Sequence, residues 1–106
     1  MPVHELKPGE IINTTGLVLL DFKATWCGPC KALAPFLEKE SAKHTNCRFY
    51  SVDVDQHSAL ASQYNISCMP TVVILVNGKV NARIEGVDTG AIMQALDALD
   101  ARPKPK

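Results

Sequence analysis

The chain has 106 residues, of which 46% are hydrophobic and 21% charged, and its eleven basic residues balance eleven acidic ones. This length and composition predict a single globular domain, residues 1–106, which is large enough to fold without a metal or a disulfide. The balanced charge argues against nucleic-acid binding. The longest apolar runs, residues 17–20 and 72–76, are too short to span a bilayer.

The first half of the chain has the pattern of alternating strands and helices. Residues 17–22 are almost entirely apolar, which predicts a central strand buried on both faces. Pro8 suits the first turn of a short helix. The predicted elements are a short strand over residues 2–6, a helix over 8–13, a strand over 17–22, a helix over 28–44 and a strand over 48–54.

The second half of the chain has the pattern of a hairpin between two helices. Asn77-Gly78 favours a tight hairpin turn, because both central positions of that turn need positive φ. The predicted elements are a helix over residues 58–64, strands over 71–76 and 79–85, a helix over 89–99 and a loose tail over 102–106. The chain order predicts an α/β fold, a mixed five-stranded sheet flanked by four helices, built from a βαβ half and a ββα half.

The most informative segment is Trp26-Cys27-Gly28-Pro29-Cys30, in which two thiols follow a predicted strand and open a predicted helix. This pattern indicates a thiol–disulfide redox motif. We expect the turn to expose Cys27 at the helix N-terminus, where free amides and the helix dipole favour a thiolate. Cys30 shares the inward face of the helix, so we expect it to resolve a mixed disulfide formed by Cys27. Gly28 permits the tight turn, and Pro29 presets the first helical turn and tunes the reduction potential.

A structural disulfide, a pair of inert thiols and a zinc site are the alternatives for this segment. The spacing of Cys27, Cys30, His44 and Cys47 matches a four-ligand zinc pattern. If residues 30–44 form one helix, however, its rise separates Cys30 from His44 by about 20 Å. Zinc ligands must converge within a few Å, so we expect no metal here and a solvated His44 near the helix C-terminus.

Other motifs accompany the dithiol in a fixed order. They are Asp21-Phe22 before it, Pro35 after it, and then Cys68-Met69-Pro70-Thr71 and Asn77-Gly78. With the dithiol segment they resemble the thioredoxin family over roughly residues 3–100, and the form of the motif at residues 68–71 resembles its eukaryotic cytosolic members. The resemblance implies a thioredoxin fold and a protein-disulfide reductase.

The resemblance also gives Asp21 a role. The residues alone leave open whether this carboxyl is buried in its strand or exposed at a strand edge. In the family the matching aspartate lies beneath the dithiol and relays the proton of the resolving thiol, here Cys30, and burial should raise its pKa. Bacterial members often place a lysine near this aspartate, where the present chain has Ser51.

A docking surface for clients is implied at Met69-Pro70. In the family this proline is cis and faces the dithiol, and the backbone of the preceding residue pairs with an extended client segment. Trp26, Met69, Pro70 and Gly86 would then line a shallow apolar surface. An ordinary core aromatic is the alternative for Trp26.

Two further cysteines lie outside the dithiol. Cys47 begins a predicted strand and is most simply a small buried apolar residue. Cys68 precedes Met69-Pro70, so we expect it near the docking surface, where an exposed thiol can be oxidised or cross-link two copies of an otherwise monomeric chain. An inert Cys68 thiol is the alternative.

The resemblance implies that the chain reduces disulfides in client proteins through a reversible Cys27–Cys30 disulfide, and so takes part in cell redox homeostasis. It implies electrons from an NADPH-dependent thioredoxin reductase, and clients such as peroxiredoxins, methionine sulfoxide reductase and ribonucleotide reductase. No glycine-rich nucleotide-binding motif is present in the sequence, so we expect no bound cofactor.

Compartment and activity have alternatives as well. The first residues lack the features of a signal peptide, which predicts the cytoplasm, with the nucleus as a second compartment. A disulfide oxidase or isomerase of the same fold is one alternative activity, although such proteins usually carry a histidine between the cysteines, where this chain has Gly28-Pro29. A non-catalytic adaptor of the same fold is the other.

Overall fold

Five strands and three helices make up residues 3–100, the part of the chain that the computed structural model describes. The predicted tail over residues 102–106 lies outside this part. The strands are β1 (Val3–Glu5), β2 (Leu17–Lys23), β3 (Cys47–Asp53), β4 (Thr71–Val76) and β5 (Lys79–Glu85). The helices are α1 (Gly28–Lys43), α2 (Ser58–Gln63) and α3 (Thr89–Leu99).

The strands form one mixed sheet in the order β1-β3-β2-β4-β5. β3 pairs in parallel with both β1 and β2, whereas β4 is antiparallel to β2 and to β5. The predicted βαβ and ββα halves are therefore confirmed, and they join at the β2–β4 pair. In the register of the parallel strands, Glu5 lies beside Ser51, and Ser51 lies beside Asp21.

The helix predicted over residues 8–13 is wrong, and three described helices flank the sheet rather than four. Pro8 and Gly9 form a turn, and Gly9 has a φ of +83°, which a right-handed helix cannot contain. The side chain of Glu10 closes this turn by accepting a hydrogen bond of 2.9 Å from the amide of Lys7. The proline signal therefore marked the start of a turn.

Each face of the sheet carries its own hydrophobic core. On one face, alternate residues of β2 pack with β3, β4 and α2, and Phe22 is the largest of these buried side chains. On the other face, Leu19 packs with Leu33 and Leu37 of α1 and with Ile92 of α3. Because side chains alternate along a strand, Asp21 lies on the face of Leu19, beneath the first half of α1.

Candidate active site

Cys27 and Cys30 form a disulfide at the N-terminus of α1, with their Cα atoms 5.4 Å apart. Cys27 is the N-cap residue, with extended backbone angles, and Pro29 lies in the first turn of the helix. The Sγ atom of Cys27 accepts a hydrogen bond of 3.2 Å from the backbone N–H of Cys30. A negative charge on this sulfur would meet a free amide and the positive end of the helix dipole.

Both sulfurs are largely covered. Cys27 is 5% exposed and Cys30 is 4% exposed, so the expectation of an open Cys27 thiol is wrong. The two cysteines form a small cluster with Ala24, against which Val54 and Met69 pack. These two side chains, which come from later in the chain, thus contribute to burying the cluster.

The peptide bond between Met69 and Pro70 is cis. The carbonyl of Pro70 accepts a hydrogen bond of 2.8 Å from the amide of Gly86, which has a φ of +84°. Within residues 3–100, no hydrogen bond occupies the backbone N–H or C=O of Met69. The structure thus brings Met69, Pro70 and Gly86 together beside the dithiol and leaves one backbone unit open for pairing.

Trp26 is a surface residue with 67% of its area exposed, so the core-aromatic alternative is wrong. Its indole Nε1 donates a hydrogen bond of 2.9 Å to Oδ2 of Asp55. This bond fixes a large apolar ring next to Cys27. No pattern in the sequence indicated Asp55 as the anchor of this ring.

Asp21 is buried, with 4% of its area exposed, and the strand-edge alternative is wrong. Its Oδ1 atom has no hydrogen-bond partner among the described residues. Burial raises the pKa of this carboxyl to about 7, while Lys23 acts to lower it and Glu5 to raise it further. The carboxyl lines a pocket of about 280 Å³ that it shares with Ser51. Asp21 can therefore gain or lose a proton near neutral pH.

The remaining cysteines have opposite surroundings. Cys47 is buried in the core, and burial raises the pKa of its thiol to about 12, which keeps it in the unreactive thiol form. Cys68 is exposed, and its Sγ lies 3.8 Å from the hydroxyl of Thr71. Its place directly before Met69 brings a free thiol to the edge of the docking surface.

The zinc alternative fails on the geometry of α1. One continuous helix runs from Gly28 to Lys43, so Cys30 and His44 lie at its opposite ends. Among residues 3–100, no group of three His, Cys, Asp or Glu side chains is arranged to hold a metal.

The expectation of a solvated His44 is also wrong. This side chain is buried between α1 and the end of α3, where Nδ1 lies 3.1 Å from Oδ2 of Asp100 and Nε2 lies 3.6 Å from Oε1 of Glu40. His44 therefore ties the two helix ends together.

No helix within residues 3–100 combines the length and the apolar character that crossing a membrane requires.

The Thioredoxin family model matches residues 7–98 of the chain. The chain belongs to the thioredoxin family. Thioredoxin-1 of Saccharomyces cerevisiae is 45% identical over 82 residues, which cover 77% of this chain and 80% of the yeast protein. The H-type thioredoxin of Ricinus communis is 37% identical over 93 residues, covering 88% of this chain and 77% of the plant protein.

Solved thioredoxin structures show the same fold. The reduced thioredoxin pre-protein of Schistosoma mansoni superimposes with a TM-score of 0.83 at 35% identity, covering 92% of this chain and 97% of that one. A structure from work on thiol resolution in a yeast mitochondrial 1-Cys peroxiredoxin, through the glutathione and thioredoxin systems, gives a TM-score of 0.77 at 32% identity and covers 80% of both chains. Family membership and the Cys27–Cys30 disulfide make this chain a thiol–disulfide oxidoreductase that reduces protein disulfides.

Proposed function

We propose that Cys27 is the attacking sulfur and Cys30 the resolving sulfur of this reductase. The observation that carries the proposal is the N-cap position of Cys27, whose Sγ accepts the amide N–H of Cys30 at 3.2 Å. That environment lowers the pKa of a thiol and favours the nucleophilic thiolate. Cys30 lies inside the first turn of α1 and is covered by it, which suits a thiol that reacts only with its neighbour.

The reaction consists of two exchanges. In the first, the Cys27 thiolate attacks one sulfur of a client disulfide, the S–S bond breaks, and the other client sulfur leaves as a thiolate and takes up a proton. In the second, Cys30 loses its proton and attacks Sγ of Cys27, which releases the second client sulfur and forms the Cys27–Cys30 disulfide. The dithiol is oxidised by two electrons and the client disulfide is reduced by two.

Asp21 is the proposed acceptor of the Cys30 proton. Its carboxyl is buried on the α1 side of the sheet, and its Oδ1 is unpartnered among the described residues. A pKa near 7 lets it hold and release a proton at the pH of the reaction. Gly28 and Pro29 hold the turn that keeps the two sulfurs at disulfide distance.

Clients are proposed to bind as an added strand at Met69. The free backbone N–H and C=O of Met69 offer main-chain hydrogen bonds to an extended segment. Trp26, Pro70 and Gly86 form the shallow surface on either side. Main-chain pairing depends little on client sequence, so this mode of binding suits a reductase with many clients.

The partners follow from the family and from the chemistry. Family membership implies a thioredoxin reductase and disulfide-bearing clients. We propose NADPH as the electron source of that reductase. The proposed clients are peroxiredoxins, methionine sulfoxide reductase and ribonucleotide reductase, and the similar structure from work on a 1-Cys peroxiredoxin supports the first of them. The proposed enzyme is a monomer without bound cofactor that acts in the cytoplasm, with the nucleus as a second compartment.

A coupled assay tests this function. The chain is mixed with thioredoxin reductase, NADPH and insulin, and NADPH oxidation is followed together with insulin reduction. We expect turnover with the parent chain and with Cys47→Ser, but none with Cys27→Ser. Insulin reduction that proceeds with dithiothreitol but not with the reductase would overturn the proposed electron source. Absence of reduction with either donor would favour the adaptor.

Replacing Trp26 with alanine should weaken client binding more than it slows the chemistry. We expect the KM for insulin to rise about tenfold, which is typical of losing an exposed aromatic anchor. The rate with a small aromatic disulfide, which needs no extended surface, should change less than about twofold. Val80→Ala, which removes another exposed apolar side chain, is the matched control. Equal losses with both substrates would contradict the docking role.

Cys68 is proposed to link two copies of the chain under oxidation, because its thiol is free and exposed. Treatment with peroxide should produce a dimer in mass analysis under non-reducing conditions. The dimer should be absent in Cys68→Ser. It should form unchanged in Cys47→Ser, because the thiol that this variant removes is buried. No dimer in the parent chain, or a dimer that persists in Cys68→Ser, would contradict the proposed role of Cys68.

A further inference from the structure

Lys23 lies where two recesses meet beneath the dithiol. One recess, of about 280 Å³, is lined by Asp21, Ser51 and Lys23 among others. The second, of about 390 Å³, is lined by Cys30 and again by Lys23. Lys23 and Ala34 are the residues that line both. The side chain of Lys23 is thus the charged group shared by the recess of the thiol and the recess of the carboxyl.

The position of Lys23 is fixed by its strand and by an ion pair. It follows Asp21 by two residues in β2, so the two side chains lie on the same face of the sheet. Its Nζ lies 3.1 Å from Oε1 of Glu5, and its side chain is 26% exposed. Glu5 in turn lies beside Ser51, which lies beside Asp21. The pair therefore holds the ammonium at the mouth of the carboxyl recess.

The charges around Asp21 are unbalanced without this lysine. Glu5 from β1 and Glu38 from α1 line the same recess, and Ser51 from β3 is neutral. Among the described residues that line it, Lys23 alone carries a positive charge. Lys23 therefore favours the ionised form of Asp21, against both its burial and the negative charge of Glu5.

We propose that Lys23, anchored by Glu5, is a positioning residue that keeps Asp21 ionised and ready to accept the proton of Cys30 in the resolving step. The proposal rests on the proton-accepting role of Asp21 given above. In that step the Cys30 Sγ–H bond breaks and its proton passes to the Asp21 carboxylate. The Cys30 sulfur then bonds to Sγ of Cys27, and the client sulfur leaves with the electrons of the broken bond. No other oxidant or reductant takes part.

The test is the pH profile of client-thiol release by the reduced protein in a single turnover with insulin. Lys23→Met should move the midpoint of that profile upward by about half a pH unit, since an opposite charge near a carboxyl lowers its pKa and partial exposure weakens the effect. At pH 7 the release should slow by about twofold. Lys23→Arg should restore the parent profile. Lys39→Met, which removes an exposed charge on α1 that lines neither recess, should leave it unchanged.

Coupling to Asp21 separates positioning from a general structural effect. In the Asp21→Asn background, Lys23→Met should have no further effect on the profile. Two results would overturn the role of Lys23 and leave the role of Asp21 standing. One is an equal shift of the pH profile by Lys23→Met in the Asp21→Asn background. The other is an unchanged profile in Lys23→Met while Asp21→Asn releases the client slowly. Normal release in Asp21→Asn would overturn both.

Discussion

Replacing Cys27 with serine is expected to abolish client reduction, whereas replacing Cys30 with serine should stop the reaction at a covalent complex. Serine cannot supply the thiolate, so Cys27→Ser should lose about a thousandfold or more in rate. Cys30→Ser retains the attacking sulfur but lacks the thiol that displaces the client. A mixed disulfide between Cys27 and the client should therefore accumulate.

Mass analysis under non-reducing conditions, followed by peptide mapping, identifies the trapped complex. Insulin serves as the client, and Cys47→Ser is the matched control because it replaces a buried thiol outside the site. The control should turn over normally and trap nothing. Trapping by Cys27→Ser, with the client attached to Cys30, would reverse the assigned roles.

Replacing Asp21 with asparagine should make the stability of the oxidised protein less dependent on pH. The folded-state pKa is raised from 3.8 to about 7, so the folded protein binds this proton more tightly than the unfolded chain does. Its contribution to stability is complete below about pH 4 and is lost as the pH rises through 7. This rise in the pKa lowers the free energy of unfolding by roughly 4 kcal/mol at pH 8.

Urea unfolding at pH 4 and at pH 8 measures this effect. Relative to the parent, Asp21→Asn should gain about 4 kcal/mol between the two pH values, whatever constant penalty the buried amide adds. Asp55→Asn, which alters an exposed carboxyl, is the matched control and should show no such gain. Parallel stability curves for the parent and Asp21→Asn would mean that folding does not raise the pKa of Asp21.

Asp21→Asn should also release the client more slowly than the parent does. Without the carboxylate, the Cys30 proton loses its proposed acceptor, and client release near pH 7 should fall by at least about tenfold. Equal turnover by Asp21→Asn and the parent would remove Asp21 from the mechanism.

The sequence predicted those parts of the fold that depend on local pattern. β4 and β5 have the predicted bounds, because a β-branched run, an Asn-Gly turn and an alternating run each specify their own structure. β2 was recognisable because a strand buried on both faces is apolar throughout, and Asp21 stood out as the exception. The N-cap position of Cys27 followed from the start of the helical pattern.

The errors concern features that distant residues decide. His44 was expected in solvent, but its partner Asp100 lies 56 residues later in the chain. Cys27 was expected to be open, but it is buried in a cluster against which Val54 and Met69 pack. Residues 8–13 do not form the predicted helix, although Pro8 suits a first helical turn, because Gly9 adopts a positive φ. The position of Lys23, by contrast, could have been inferred, because strand residues two positions apart, such as Asp21 and Lys23, lie on the same face of the sheet.

The most direct test is the rate at which each sulfur of the reduced protein is alkylated between pH 5 and 10, resolved by peptide mass for Cys27 and Cys30. We expect Cys27 to react at least about tenfold faster than Cys30 at neutral pH, with a midpoint below the ordinary thiol pKa of about 8.5. Equal rates for the two sulfurs across the titration would contradict the account, because neither cysteine would then be the preferred nucleophile.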